Sequence, residues 1–446
     1  MFSKLACASL LLTSVLAHSP SKVVDSSSKL ISVHADKNYT SVMKFLQKEG
    51  FDVLGVDLKK KIIDLNVSED ELKELISKGI KFEVESQKAL AAKVDERYLN
   101  PDEIKEILVE TNKSYPEITK LVLVGTTLEG REIWAIKISD NAQGHDIKEP
   151  AILFNGMHHS REVMTTEVTT DIISYLTKNY LTKPEVKNWV DNNEIYVLPM
   201  LNLDGNTKVW EGDNMWRKNA RGGYGVDINR NYPTSWGACN GSSGWKTSQT
   251  YRGDAPASEP ETNALMDFVA KIKPVFNISY HAYSELVIYP MGCNGQRTKN
   301  QKVVEGIGKE IGSLLNYQPG TSWETLYSVD GSDIDWMYTE HQVIPYVIEV
   351  SPRSDGFQPD YSKRDATVEL NRKGWQHLLT KLGSSRVSGV TKPNTLIEIN
   401  GLQRDGYKVS NMYTTNPDGS YHIILNDGDY NITLSDETQI EVHVGK

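Results

Sequence analysis

Apolar and polar residues alternate regularly through the middle of the chain. Between residues 98 and 384, short apolar runs are separated by segments in which apolar residues recur every three or four positions. This pattern predicts an α/β unit with a mixed, mostly parallel central sheet, flanked by helices and with its functional site at strand ends. The predicted strands are 118–124, 133–138, 151–154, 195–201, 275–280 and 346–350.

Residues 28–88 predict a smaller unit with the element order βαββαβ. Four strand-like runs are separated by two helical patterns, and the capping box Ser68-x-x-Glu71 precedes the second helix. This order is that of a ferredoxin-like fold. Residues 89–97 are rich in alanine and polar residues and contain Lys93 and Arg97, so we expect a connector that a protease can cut.

Residues 385–446 predict a small β-sandwich. Alternating strands at 421–425, 430–434 and 440–444 are separated by turns rich in Asp, Gly and Asn. A Gly-Ser-Ser run at 383–385, followed by Pro393, predicts a linker in front of this unit.

The first seventeen residues have the features of a secretory signal peptide. Lys4 precedes an apolar run at 5–16, and Val15-Leu16-Ala17 fits a cleavage site. We therefore expect a secreted, extracellular protein, and the sequence contains no apolar run of the ~20 residues that a membrane span needs. Removal of the signal would take Cys7 with it, and leave Cys239 and Cys293 either as one disulfide or as two free thiols.

Composition narrows the class of protein further. Hydrophobic residues make up 39% of the chain and charged residues 24%, which permits a sizeable core and argues against a disordered or fibrous protein. The 49 Lys and Arg against 59 Asp and Glu give a formal charge of −10. Because nucleic-acid binders carry a basic face, we expect no nucleic-acid partner. We also expect a monomer.

One short motif has the chemistry of a metal site. His159 and Glu162 lie three residues apart, just after the apolar run at 151–154, and His281 follows the run at 275–280. Catalytic zinc commonly takes three such protein ligands and keeps a fourth position open. His159 begins the only H-x-x-E in the chain. About one is expected by chance, however, so the motif alone is weak.

Six stretches together resemble the zinc metallocarboxypeptidases of the pancreatic carboxypeptidase A type and their bacterial carboxypeptidase T-like relatives. They occur in that family's order and close to its spacings over residues 98–381. The stretches are 156–162 (GMHHSRE), 215–218 (MWRK), 225–231 (GVDINRN), 279–284 (SYHAYS), 334–336 (IDW) and 346–349 (YVIE).

The resemblance implies a zinc site and its catalytic groups. His159, Glu162 and His281 match the zinc ligands, for one Zn2+ in the catalytic domain. Glu349 matches the glutamate that takes a proton from the zinc-bound water and passes it to the leaving amine. Arg217 matches the arginine that stabilises the developing oxyanion.

The resemblance also implies residues that bind the substrate. Asn229 and Arg230 match the clamp for a free C-terminal carboxylate, which suits the planar guanidinium fork. Arg161 matches a residue that lines the approach to the site, and Tyr283 matches an aromatic residue of a substrate subsite. Tyr327 matches the family's mobile tyrosine, which closes over the substrate.

Ile334 falls at the floor of the specificity pocket, where an apolar residue accompanies a preference for apolar or aromatic C-terminal residues. Its neighbour Asp333 leaves a basic preference open.

The whole chain then resembles a proenzyme. Residues 28–88 match the family's activation domain in position and topology, residues 98–384 match its catalytic domain, and residues 385–446 resemble transthyretin-like modules. The expected partners are peptide or protein C-termini as substrate and an activating protease that cuts the connector. The alternatives are an inactive peptide- or matrix-binding relative, or a same-fold enzyme acting on basic C-termini or cell-wall peptides.

Overall fold

The computed structural model describes residues 28–35, 38–85, 93–293 and 295–445. The predicted signal peptide with Cys7, and residues 89–92 of the predicted connector, lie outside these residues. Across the described residues, no helix combines the length and the apolarity that crossing a membrane requires.

The N-terminal unit contains the predicted βαββαβ order. Its elements are β1 (Lys29–His34), α1 (Tyr39–Glu49), β2 (Asp52–Asp57), β3 (Ile62–Val67), α2 (Glu69–Ser77) and β4 (Phe82–Val84). The strands form one sheet in the order β2-β3-β1-β4, and all three pairs are antiparallel. The capping box forms as predicted, because the Glu71 N–H donates to Ser68 Oγ at 3.3 Å and the Ser68 N–H donates to Glu71 Oε2 at 2.7 Å.

The central unit is an eight-stranded mixed sheet with helices packed against it, which confirms the predicted fold class. Its strands are β5 (Thr119–Thr126), β6 (Glu132–Ile138), β7 (Ala151–Gly156), β8 (Glu194–Leu198), β9 (Phe276–Ala282), β10 (Leu286–Ile288), β11 (Gln318–Gly320) and β12 (Ile344–Val350). Its helices are α3 (Pro101–Ser114), α4 (Met164–Asn179), α5 (Pro184–Asp191), α6 (Leu203–Trp210), α7 (Pro260–Ile272), α8 (Gln301–Leu315), α9 (Ser322–Thr325), α10 (Asp333–His341) and α11 (Arg364–Ser384).

The middle of this sheet determines where the functional site forms. The strand order is β11-β10-β12-β9-β7-β8-β6-β5, and the neighbouring strands β12, β9, β7 and β8 are all parallel. Their side chains are buried on both faces, as parallel sheets covered by helices require. The carboxyl ends of β7, β9 and β12 therefore meet at one edge of the sheet.

The central sheet differs from the prediction at two places. Strands β10 and β11, three residues each, were not predicted, because segments so short carry no readable alternation. Strand β8 ends at Leu198 rather than at residue 201, since Pro199 has no N–H for the ladder. Buried apolar side chains from Val94 to Ile424 form one continuous cluster around this sheet.

The C-terminal unit is rich in strands, as predicted, but contains more of them than the three expected. The six strands are β13 (Arg386–Val390), β14 (Leu396–Gln403), β15 (Lys408–Thr414), β16 (Ser420–Ile424), β17 (Gly428–Thr433) and β18 (Gln439–Val444). Strands β13 and β16 pair with each other, and β15-β14-β17-β18 form a second sheet. Side chains from both sheets share one apolar core.

The predicted linker at 383–385 and Pro393 is wrong. Gly383 and Ser384 complete helix α11, and β13 begins one residue after Ser385. Leu378, Leu379 and Leu382 are buried in this last part of the helix. Their burial outweighs the ~1 kcal/mol by which Gly383 disfavours a helix relative to alanine.

A candidate metal centre in a covered cleft

Three of the predicted site residues lie at the carboxyl edge of the parallel strands. His159 follows β7, His281 is the penultimate residue of β9, and Glu349 is the penultimate residue of β12. Glu349 and His281 are direct partners in the parallel register of β12 and β9. The chain turns sharply at Met157, whose φ of 61° is left-handed, so that the residues after β7 fold back over this edge.

His159, Glu162 and His281 converge on one point. His159 Nδ1 lies 2.8 Å from Glu162 Oε1, and His281 Nδ1 lies 3.1 Å from both Glu162 Oε2 and His159 Nδ1. Ligand atoms around a tetrahedral zinc ion are ~3.3 Å apart, given bonds of ~2.0–2.1 Å. All three residues are buried. Two imidazoles and one carboxylate in this arrangement fit a divalent zinc ion.

Asp227 supports the metal ligands from behind. Its Oδ1 lies 3.2 Å from His159 Nε2, which holds the ring so that Nδ1 faces the metal position. Arg217 donates to its Oδ2 from Nε at 3.1 Å and from Nη2 at 2.9 Å. Burial alone would raise the pKa of Asp227, but Arg217 and His159 hold it well below its usual value, so the carboxylate stays charged.

Glu349 is not part of the triad, but it is the direct register partner of the ligand His281. It lines the same cleft as His159, Glu162 and Arg217. Burial raises the pKa of Glu349 to about 8, although the neighbouring His281 lowers it. A bound dication would lower this pKa further. The position and the environment of Glu349 are those of a group that can accept a proton and return it.

Asn229, Arg230 and Tyr327 form one wall of the cleft. Asp227 caps the short turn Ile228–Arg230 by accepting the Asn229 N–H at 3.0 Å, which aims both side chains inward. Arg230 Nη2 lies 3.5 Å from the Tyr327 hydroxyl, and its Nε donates to the carbonyl of Gly241 at 3.0 Å. The structure thus brings together the predicted clamp and the predicted mobile tyrosine.

Ile334 and Asp333 face in different directions at the start of α10. Ile334 lines the cleft, together with Ile288 and Val347. Asp333 does not line it: its Oδ2 lies 3.7 Å from His158 Nε2, and the carboxylate is completely buried. The cleft floor in the described structure is therefore apolar at Ile334.

Tyr283 lines the cleft, and Arg161 approaches Tyr283 through Phe357. The Arg161 guanidinium stacks 4.2 Å from the ring centroid of Phe357, and Phe357 packs 4.9 Å from Tyr283. Arg161 Nη1 also donates to the carbonyl of Met215 at 3.2 Å. The structure thus brings the two predicted residues together around Phe357.

The N-terminal unit covers this cleft. Val53, Leu54 and Gly55 of β2 line the same cleft as the candidate metal ligands. Apolar residues of the two units form a common cluster, in which Ile334 and Val347 pack with the N-terminal core. Gln47 Nε2 adds two hydrogen bonds, of 2.7 Å each, to the carbonyls of Asn240 and Ser328. Strand β2 therefore forms part of the wall of the cleft.

Two residues that support the site do not stand out in the sequence: Asp227 and Phe357. Asp227 lies within the stretch 225–231, two residues before Asn229 of the predicted clamp, and this acidic position is the signal that could have found it. Phe357 follows β12 in an irregular segment, where no periodicity marks it.

Cys239 and Cys293 are joined by a disulfide in the structure, with their Cα atoms 5.8 Å apart. The bond connects the loop that supplies Gly241 to the segment after β10.

Comparison with known proteins gives one consistent result. The sequence model of the Peptidase_M14 family, described as zinc carboxypeptidase, matches residues 104–374. A zinc carboxypeptidase of Saccharothrix mutabilis subsp. capreolus is 30% identical over 300 residues, covering 61% of this chain and 68% of the relative. Carboxypeptidase A1 of Rattus norvegicus is 31% identical over 297 residues, covering 64% of this chain and 69% of the relative.

Solved structures agree at the level of the fold. Carboxypeptidase A from Helicoverpa armigera superposes with a TM-score of 0.68 at 22% identity, covering 79% of this chain and 96% of that one. Thrombin activatable fibrinolysis inhibitor gives a TM-score of 0.66 at 20% identity, over 79% of this chain and 98% of that one.

Proposed function

Because the chain belongs to the zinc carboxypeptidase family, we propose that it is a secreted proenzyme whose processed form removes single residues from the C-termini of peptides and proteins. The observation that carries this proposal is the convergence of His159, Glu162 and His281 beside Glu349, in a cleft walled by Arg230. A zinc ion held by the triad would supply Lewis-acid polarisation of the scissile carbonyl and lower the pKa of a water molecule.

Glu349 moves the proton in this reaction. Its carboxylate accepts a proton from the attacking water and delivers it to the amine that leaves, which are the tasks of a general base and then a general acid. Glu349 is the register partner of His281 and lines the same cleft as the candidate metal ligands, so its carboxylate lies where a zinc-bound water would need a base.

Arg217 stabilises the charge that develops on the carbonyl oxygen. It is fixed by two donations to Asp227, and it lines the same cleft as Glu349. A guanidinium held in place before the reaction needs no reorganisation as the charge appears.

The enzyme acts as an exopeptidase because its cleft binds the free C-terminal carboxylate of the substrate through Asn229, Arg230 and Tyr327. Arg230 presents a planar fork that fits the two oxygens of a free terminal carboxylate, and the Tyr327 hydroxyl lies next to it. Arg161 and Tyr283 contact the peptide further from its end. With Ile334 in the floor, the pocket favours apolar and aromatic C-terminal side chains.

The N-terminal unit acts as an activation domain. It occupies the cleft through β2, and Lys93 and Arg97 of the connector are exposed to a protease. The N-terminal apolar core also includes buried side chains of the central unit, such as Ile334 and Val347, so the N-terminal unit must dissociate after the cut before the cleft is free. An activating protease and secretion guided by residues 1–17 complete the proposal.

Mass spectrometry of a peptide mixture tests this proposal. The full chain, cut at the connector with trypsin and freed of residues 28–88, is expected to shorten peptides one residue at a time from the C-terminus, with Leu and Phe ends ahead of Lys and Arg ends. The uncut chain is expected to be much slower, and 1,10-phenanthroline is expected to stop the reaction. Internal cleavage, or trimming that persists with the chelator, would contradict the proposal.

A further inference from the structure

Arg353 is a cation of the central unit whose side chain is held by the N-terminal unit. It lies four residues after Glu349, at the start of the turn Arg353–Asp355. Its Nε donates to Asp64 Oδ1 at 2.8 Å, its Nη2 lies 3.1 Å from Glu85 Oε1, and it also bonds the hydroxyl of Ser32. In the part of the chain that the structure describes, these contacts of the guanidinium are all with residues before the connector.

Asp64 binds two cleft residues through one carboxylate. While Oδ1 accepts from Arg353, Oδ2 accepts from the hydroxyl of Tyr283 at 3.0 Å. Asp64 is only 7% exposed, and Tyr283 lines the cleft that contains the candidate metal ligands. The central unit thus has a guanidinium and a phenol hydroxyl spaced to receive the two oxygens of one carboxylate.

A second acidic contact supports the same reading of the cleft. Asp52 of β2 lies 3.6 Å from Nη2 of Arg161, whose guanidinium stacks on Phe357 beside Tyr283. The N-terminal unit therefore meets two arginines of the central unit with two carboxylates. When that unit leaves, both guanidiniums lose these acidic partners.

We propose that Arg353 and Tyr283 form a carboxylate-binding subsite in the processed enzyme, which selects peptides carrying Asp or Glu shortly before the C-terminal residue. This inference rests on the proposed function and adds a substrate class to it. Asp64 occupies the subsite in the uncut chain and shows the chemistry that it accepts: a side-chain carboxylate on extended backbone, taken by one guanidinium and one hydroxyl.

The physical basis is the geometry of the donors rather than charge alone. The short turn Arg353–Asp355 fixes the backbone of Arg353 close to Tyr283, so its guanidinium can reach the same carboxylate as the Tyr283 hydroxyl. Tyr283 is held by Phe357, so its hydroxyl points to the same place. An amide side chain of equal size, such as Asn, offers one acceptor oxygen instead of two and no charge, so it binds more weakly.

A set of pentapeptides with an acidic residue at different positions tests the subsite. The trypsin-processed enzyme is given acetylated peptides of four alanines and a C-terminal leucine. In each variant peptide, one alanine at the second, third or fourth position from the C-terminus is replaced by Asp or by Asn. At one of these positions, we expect the Asp peptide to have a kcat/KM about fivefold higher than the Asn peptide at low salt. The difference should lie in a lower KM, and it should become smaller in 1 M NaCl.

Variants of Arg353 separate this subsite from a general effect of charge. Arg353→Gln should abolish the preference for Asp while leaving the all-alanine peptide unaffected, and Arg353→Lys should restore part of it. Arg404→Gln, far away in the C-terminal unit, is the matched control. Equal rates for Asp and Asn at all three positions, or a preference that survives Arg353→Gln, would overturn the inference.

A binding measurement keeps the inference separate from the proposed function. Calorimetry of the same peptides on processed Glu349→Gln protein should give the same Asp-over-Asn ratio without turnover. An enzyme that trims neutral peptides but ignores Asp refutes only the subsite. A processed protein that trims no peptide but binds Asp peptides through Arg353 refutes the proposed function and supports the subsite. A processed protein that neither trims peptides nor prefers Asp peptides in binding refutes both.

Discussion

Arg217 and Asp227 form a buried pair in which Nη2 and Nε of the arginine lie 2.9 and 3.1 Å from one carboxylate oxygen. The other oxygen of Asp227 faces His159 Nε2 at 3.2 Å. One carboxylate therefore orients both a candidate metal ligand and Arg217, which we propose stabilises the oxyanion. The two proposed functions are coupled through Asp227.

This arrangement predicts that Asp227→Asn damages both functions together. We expect zinc affinity to fall ~10–100-fold, because the amide cannot hold His159 in its metal-binding tautomer as a carboxylate does. Zinc content measured by mass spectrometry at buffered free zinc checks the first effect, and kcat at saturating zinc checks the second. Unchanged zinc affinity would show that Asp227 does not support the ligand.

Gly55 allows β2 to pass over the cleft. A Cβ at this position would collide with the ring of Tyr283, whereas one at Gly383 would meet open space. We therefore expect Gly55→Val to weaken docking of the N-terminal unit by ~1–3 kcal/mol, the usual cost of overpacking. Hydrolysis by the uncut chain should rise about tenfold or more as a result.

Gly383→Ala is the control for that experiment, since it also removes a glycine but leaves the docking surface intact. An uncut Gly55→Val chain as inactive as the unmodified one would contradict the close contact between β2 and Tyr283.

The disulfide closes a loop across a sequence separation of 54 residues. Loop-closure entropy for such a length predicts that Cys239→Ser with Cys293→Ser lowers the free energy of unfolding by ~4 kcal/mol. Urea denaturation of the processed protein measures this difference. A loss below ~1 kcal/mol would mean that the loop is constrained by its other contacts, such as the bonds of Asp330 to the amides of Cys239 and Gly241.

His145 bridges the central and C-terminal units, with Nδ1 2.9 Å from Glu194 and Nε2 3.2 Å from Asp418. Burial alone would lower the pKa of His145, but Asp418 and Glu194 raise it. Because the pKa of His145 is higher in the folded protein than in the unfolded chain, its contacts with the two carboxylates stabilise the fold. This stabilisation is complete below the pKa of the unfolded chain, ~6.5, and it disappears as the pH rises through the pKa of the folded protein.

His145→Gln should therefore remove stability at pH 5.5 and little at pH 8.5. Since the side chain of His145 is 56% exposed, we expect a difference below ~1 kcal/mol. Urea denaturation at the two pH values measures this difference in the free energy of unfolding. When His145→Gln is combined with Asp418→Asn, the loss of stability should be smaller than the sum of the two single losses. A loss that is equal at both pH values would exclude titration of this bridge.

Much of the fold followed from local patterns in the sequence. The buried strands β7 and β12 are apolar except near their carboxyl ends, β9 alternates apolar and polar residues, and the capping box at Ser68 marks the start of α2 directly. Strands β10 and β11 could not be predicted, because three residues acquire strand structure only from the neighbours that they pair with. The end of α11 depends in the same way on packing that a local sequence window does not contain.

The site was predictable as far as its residues stand in recognisable stretches. His159, Glu162 and His281 could be named in advance because they stand in stretches that resemble the zinc carboxypeptidases, whereas the H-x-x-E motif alone is weak. The link from Asp227 to His159 spans 68 residues, and the contact of Arg353 with Asp64 spans 289. Such contacts depend on how separate elements dock, which spacing along the chain does not specify.

The central claim is that Glu349 carries out the proton transfers in a zinc-dependent removal of C-terminal residues. Its most direct test is the rate at which trypsin-processed Glu349→Gln trims a leucine-ended peptide, with zinc content measured in the same sample. Glu340→Gln, an exposed glutamate on α10, is the matched control. We predict a loss of kcat of ~10²–10⁴-fold with one zinc per chain retained; undiminished trimming would contradict the account.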